Sequence, residues 1–175
     1  MPETGPNTPS ATTQTVQILA AEQKDIPLIL TFIRKLAEYE KLQDHVVADE
    51  DSLRKALFGP RPAAEVLLAY VKDKPVGFAV YFQTFSTFMA RSGIYLEDLF
   101  IEPAFRSKGV GTAVLIHLAR VAVQRGCARL SWAVLDWNQP AIQFYRKLGA
   151  IPLDEWTVFE LSGTALDSLT RSDLY

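Results

Sequence analysis

The chain has 175 residues, a formal net charge of −2 and a hydrophobic fraction of 49%, which suits one domain with a real core. That charge leaves no basic footprint for nucleic acid, while a cationic ligand at a local acidic patch stays open. The single cysteine, Cys127, excludes an internal disulfide, and the two histidines, His45 and His117, are far apart without ligand spacing, so no metal site is expected.

Residues 1–15 are rich in Pro, Thr, Ser and Gly and lack the basic-then-apolar pattern of a signal peptide. They read as a disordered tail before one domain over 16–175. No apolar run reaches membrane-spanning length, and a cytoplasmic protein is expected. Val16–Leu19 reads as a short strand. Asp25 can cap a helix to about Glu40, with Ile26, Ile29, Leu30, Ile33, Leu36 and Ala37 on one face and Pro27 in the tolerant first turn. A second short helix covers Asp49–Leu57 and stops at Gly59-Pro60.

Strands follow over Glu65–Val71, Val76–Phe85 and Ile94–Ile101. The turn-forming Lys72–Pro75 and the small-residue loop Ser86–Ser92 separate them, the pattern of an antiparallel meander. Gly109–Arg125 is an amphipathic helix with Val110, Val114, Leu118 and Val121 on one stripe and Gly126 at its stop. Leu130–Leu135 reads as a strand, Ala141–Leu148 as a helix ended by Gly149, and Glu155–Leu161 as a last strand. The strand–helix–strand unit from Ile94 to Leu135 predicts a right-handed crossover joining parallel strands.

The richest stretch is Arg106-Ser107-Lys108-Gly109-Val110-Gly111-Thr112, between a strand and a long helix. Glycines two apart let backbone N–H groups converge on one concavity at a helix N-terminus, a setting that suits a pyrophosphate. Arg106 and Lys108 could add charge. The stretch is neither a P-loop nor a dinucleotide fingerprint, and by itself it also reads as a plain turn before a helix.

In context, Arg106-x-x-Gly109-x-Gly111 resembles the Gln/Arg-x-x-Gly-x-Gly/Ala loop of GNAT acetyltransferases. Asn138-Gln139-Pro140-Ala141-Ile142-Gln143-Phe144-Tyr145 through Gly149-Ala150 resembles the superfamily's Asn-x-x-Ala-x-x-Phe-Tyr-x-x-x-Gly segment. Within that superfamily the chain is similar to the diamine (spermidine/spermine) acetyltransferase branch, through Leu36-Ala37-Glu38-Tyr39-Glu40, Tyr95-Leu96-Glu97-Asp98-Leu99-Phe100 and Asn138-Gln139-Pro140. That branch includes thialysine acetyltransferases.

The resemblance implies an α/β (α+β) GNAT fold. Its central sheet is mixed, an antiparallel N-terminal meander followed by a splayed parallel strand pair, with flanking helices. It implies transfer of an acetyl group from acetyl-CoA to a primary amine of a small molecule in a ternary complex. The cofactor would meet Leu99, Phe100 and Ile101 of the strand, Arg106, Ser107, Lys108, Gly109, Val110, Gly111 and Thr112 of the loop, and Asn138, Pro140, Ala141 and Tyr145. The resemblance makes Tyr145 the acid that meets the departing thiolate and Glu97 the base, acting through water. Periodicity alone reads Phe144 and Tyr145 as core aromatics.

In a regular strand Glu97 and Asp98 point to opposite faces, and a bulge would change that. The acceptor would meet Tyr39, Glu40, Glu97, Asp98, Glu155 and Trp156, an acidic pocket for an ammonium group. Taken as residues alone, Glu40 is equally a solvated helix end and Trp156 a strand aromatic. Ser86 stands where the polyamine enzymes carry an acid, and Lys41–His45 is less acidic than in them. These departures put spermidine and spermine in doubt; among diamines, polyamines and amine-bearing amino acids, a shorter amine or an amino acid with a side-chain amine stays open. A homodimer is implied, with neither nucleic acid nor membrane as partner. A protein lysine or N-terminal acetyltransferase, or a non-catalytic acyl-CoA-binding module, is the alternative.

Overall fold

The computed structural model describes residues 15–171, so the tail predicted over 1–15 lies, apart from Thr15, outside the described residues. The chain divides into two compact units between Ala133 and Val134. The first carries β1 (Val16–Ala20), α1 (Ile26–Glu40), α2 (Glu50–Phe58), β2 (Glu65–Val71), β3 (Lys74–Ser86), β4 (Arg91–Ile101), α3 (Val110–Gln124) and β5 (Leu130–Trp132). The strands form one sheet in the order β1-β2-β3-β4-β5. The first four are mutually antiparallel, and β5 lies parallel to β4. This is the expected mixed α/β sheet, meander first and parallel pair last.

The core on one face of the sheet joins Ile29 and Phe32 of α1 to Val66, Leu68, Phe78 and Phe100. Phe32 stacks on Phe78 with centroids 5.6 Å apart and meets Phe100 at 6.0 Å, geometry that adds to simple area burial. Phe32 was absent from the predicted face of α1, whereas Ile33 and Leu36 are only half-buried. Asp25 precedes α1 without a side-chain cap bond. Its carboxylate instead accepts from the Glu22 amide at 2.8 Å, which stabilises the turn upstream. Asp49 does cap α2, accepting from Ser52 N at 2.7 Å. In α3 the buried stripe is Val110, Val114, Leu115, Leu118 and Ala122; Val121 is half-buried.

The second unit holds α4 (Gln139–Lys147) and α5 (Gly163–Leu169). The strand predicted over Glu155–Leu161 is not formed: these residues are exposed and have no regular structure. Strand propensity needs a ladder partner, and here the Trp156 amide donates instead to the nearby Leu153 carbonyl in a local turn. The expected strand over Leu130–Leu135 is likewise shorter and ends at Trp132.

Candidate active site

The site residues of the first unit are set by one irregularity in β4. Val80 pairs with Asp98 and the next residue, Tyr81, pairs with Leu96, so Glu97 is an extra residue with no partner on β3. An inserted residue reverses the side-chain alternation beyond it. On one side of the bulge, Leu96 pairs with Tyr81, whose ring lies under the Arg125 guanidinium just past α3. On the other, Phe100 joins the α1 core, and Asp98, two residues before it, shares that face. The bulge therefore carries Asp98 towards α1.

The electrostatics agree. Asp98 is half-buried and its carboxyl is pushed up to about 6, by burial first, then by the negative charges of Glu97 and Glu40. Burial also raises Glu40, at the end of α1. Glu97 is exposed. Two acidic groups from the bulge and one from a helix end thus form a field that favours an ammonium ion.

Parallel pairing of β4 with β5 covers Ile94–Leu96 and Leu130–Trp132 alone. Beyond it, Glu97–Ile101 is paired as a strand on the β3 side only. The parallel pair is thus splayed, with the Leu99–Ile101 backbone along the gap. Phe100 itself is buried in the core, and Val110 is 1% exposed, so both could meet a ligand only through the backbone.

The turn into α3 has the geometry of an anion cradle. Gly109 has φ +83°, and Ser107 also has a positive φ of 58°. A Cβ at Gly109 would meet nothing within 4 Å, so the space over the turn is open. No side chain caps the helix, whose first amides have no intrahelical acceptor. Ser107, Lys108 and Gly109 are exposed, while Gly111 and Thr112 are half-buried in the first turn. A diphosphate fits this set: donors at a helix N-terminus, an open approach and the Lys108 ammonium beside it.

Arg106 is deployed differently from a simple phosphate ligand. Its Nε donates to the Ile101 carbonyl at 2.9 Å, and its guanidinium lies 4.4 Å from the Tyr39 ring centre and 5.7 Å from that of Phe100. Tyr39 and Arg106 are thereby brought together, although they come from the predicted acceptor and cofactor sets respectively. No feature of the sequence paired them. Lys35, one helical turn before Tyr39, bridges to Glu102, a pairing that no local sequence pattern marks.

In the second unit, Asn138 is buried at the start of α4 and its side chain accepts from Ala141 N at 3.4 Å. Pro140 falls in the first helical turn. Ala141 and Tyr145 are half-buried, and the Tyr145 ring lies 5.3 Å from that of Phe144. Glu155 is exposed and Trp156 is 74% exposed.

Comparison with known proteins decides the class. The acetyltransferase (GNAT) family model matches residues 31–150. The chain belongs to the GNAT acetyltransferase family. It is 39% identical over 165 residues to thialysine N-epsilon-acetyltransferase of Bos taurus, covering 88% of this chain and 96% of that one. It is 29% identical over 219 residues to an L-ornithine N5-acetyltransferase of Arabidopsis thaliana, covering 99% and 96%. Among solved structures, an integron cassette protein from the mobile metagenome of V. cholerae superposes with a TM-score of 0.75 at 30% identity, covering 90% of this chain and 98% of that one. As a GNAT enzyme the chain is an acetyltransferase with acetyl-CoA as its donor, in line with the expectation from its motifs.

Proposed function

We propose that the acceptor is a free amino acid with a terminal side-chain amine, of the thialysine and ornithine type. The observation that carries this reading is the β4 bulge, which turns Asp98 towards α1, where burial first and then the charges of Glu97 and Glu40 raise its carboxyl. A compact acidic cluster matches one ammonium group near the nucleophile, whereas a long polyamine needs charges spread along its length. Two curated relatives that act on such amino acids support the choice.

Acetyl-CoA supplies an activated thioester carbonyl and leaves as the thiol. The remaining work falls to the chain. Amides at Gly109, Val110, Gly111 and Thr112 receive the diphosphate, with Ser107 and Lys108 beside them. The backbone of Leu99, Phe100 and Ile101 aligns the pantetheine arm, and Asn138, Pro140 and Ala141 are read as further cofactor contacts. Arg106 supports this turn from beneath.

An alkylammonium with a pKa of roughly 10 must lose a proton before it attacks. Glu97 takes that proton through water, and Asp98 and Glu40 orient the ammonium with Tyr39. Tyr145 gives a proton to the departing sulfur. Glu155 and Trp156 are read as further acceptor contacts. One catalytic domain spans 16–175, an extent supported by the family match running from 31 to 150 across the break after Ala133.

We further read the enzyme as a cytoplasmic homodimer. Among the described residues no helix is long and apolar enough to cross a membrane. Exposed Phe85, Phe88 and Met89 at the β3–β4 hairpin offer apolar surface for a second copy.

Thiol release from acetyl-CoA, followed with thialysine, ornithine, lysine, putrescine, spermidine and a lysine peptide, tests the acceptor class. The highest kcat/KM is expected for thialysine or ornithine. Preference for the peptide or for spermidine would contradict the reading.

A further inference from the structure

Helix α1 is fastened at two points to the connector between β4 and the phosphate-binding turn. Lys35 donates from Nζ to the Glu102 carboxylate. Four residues on, the Tyr39 ring meets the Arg106 guanidinium at 4.4 Å. Positions i and i+4 share one stripe of a helix, so both contacts arise from the same side of α1. Glu102 and Arg106 bracket the short 3-10 turn Pro103–Phe105. Arg106 is held from below by the Ile101 carbonyl, and the Glu102 amide bonds to the Val76 carbonyl at 2.8 Å. The connector is therefore a short, pinned segment.

What lies at the two ends gives the fastening its meaning. One residue past Tyr39 is Glu40, whose charge reaches Asp98. One residue past Arg106 the backbone enters the positive-φ turn at Ser107 and Gly109. Through these two contacts a shift of the end of α1 as an amine enters would pull on the turn, and a seated diphosphate would restrain the end of α1. We infer that Lys35 and Glu102 are positioning residues, and that with Tyr39 and Arg106 they couple occupancy of the CoA turn to that of the amine site. Neither Lys35 nor Glu102 touches a reacting atom. The inference rests on the proposed placement of CoA at 106–112 and of the amine beside Glu40.

Coupling of this kind is reciprocal, so it is measurable without turnover. Calorimetric titration of CoA into the full chain, with and without saturating S-(2-aminoethyl)-L-cysteine, is expected to show CoA binding at least about fivefold tighter with the amine present. In Lys35→Glu and in Glu102→Lys that ratio is expected to fall towards one. The double exchange Lys35→Glu/Glu102→Lys is expected to restore it. Lys35→Met, which keeps the aliphatic stem, is expected to lose the ratio too.

The pair is partly exposed and contributes little to stability, so melting temperatures should change little across the set. A purely structural role would move the melting temperature and leave the ratio alone. Equal CoA affinity with and without the amine in the wild type, an unchanged ratio in the single variants, or no recovery in the double exchange would overturn the inference. Failure of CoA to bind the wild type would overturn the proposed cofactor turn itself, a different and separable result.

Discussion

Arg125, one residue past the end of α3, forks onto the carboxylate of Glu65 at the start of β2, with Nη2 donating to Oε2 at 2.7 Å. The Tyr81 hydroxyl donates to the same carboxylate at 3.0 Å, and the guanidinium lies 5.8 Å from the Tyr81 ring centre. The trio ties the far end of α3, the helix that opens at the phosphate turn, to the sheet.

This tie has a pH signature. Burial, aided by the hydrogen bond to Glu65, pushes the Tyr81 phenol up from 10.0 to about 12. A phenol raised on folding contributes stability that is complete below the unfolded value and disappears as pH climbs through the folded one. Thermal stability should therefore fall between pH 10 and 12, and Tyr81→Phe should flatten that limb. At the acid end the Arg125 hydrogen bonds hold the Glu65 carboxyl below its usual range, so its contribution is present above the unfolded value and is lost as pH falls below it. Arg125→Met is expected to cost up to about 1 kcal/mol at neutral pH, read from denaturant midpoints.

Asp98 should trade stability for binding. Its carboxyl is raised to about 6 from 3.8, so the stability it contributes is present below the unfolded value and is lost as pH rises through about 6. At neutral pH the charged group is a burden on the free protein, and Asp98→Asn should stabilise it by about 1–2 kcal/mol. The same change should raise KM for the amine by about tenfold or more, because a charged pair is lost. In the wild type, KM for the amine should climb as pH drops through about 6. Scanning calorimetry and steady-state kinetics check the two halves separately.

Gly109 tests the turn. Its φ of +83° costs an alanine about 1 kcal/mol of backbone strain, while a new Cβ meets no protein atom within 4 Å. Gly109→Ala should fold with a modest loss of stability, yet weaken CoA by about tenfold as the methyl enters the space meant for phosphate oxygens. Gly109→Asn, which tolerates this φ, should recover stability but not affinity. Equilibrium titration of CoA distinguishes the outcomes.

Tyr145→Phe keeps the ring packing against Phe144 and removes the hydroxyl. A kcat lower by about 10²-fold or more is expected, with CoA affinity within about twofold of the wild type. Equal losses in affinity and turnover would assign Tyr145 to binding instead.

Much of this architecture is legible along the chain because it rests on local periodicity. Helix α3 shows its Val110, Val114 and Leu118 stripe plainly, and Glu65–Val71 reads as a strand to the residue. The order of strands followed from turn chemistry at Lys72–Pro75 and from the change of rhythm after Ile101. What stayed hidden depends on pairing. The bulge at Glu97 is invisible because Leu96–Ile101 alternates acceptably in either register; only the partner Tyr81 fixes it. Strand propensity in Glu155–Leu161 misled for the converse reason: good strand residues form no strand where no ladder receives them. The stacking of Arg106 on Tyr39 joins residues distant in sequence, and no local pattern encodes it. Helix α5 did leave a signal, with Ser162 before it and Leu166 and Leu169 three apart, that was too short to stand out.

Whether the turn at Gly109–Thr112 receives CoA is answered by a crystal structure of the complex. The diphosphate is expected within hydrogen-bonding distance of the amides at Gly109–Thr112, with the pantetheine arm along Leu99–Ile101. Electron density for CoA elsewhere, with side chains filling the space over Gly109, would rule out this placement of the cofactor.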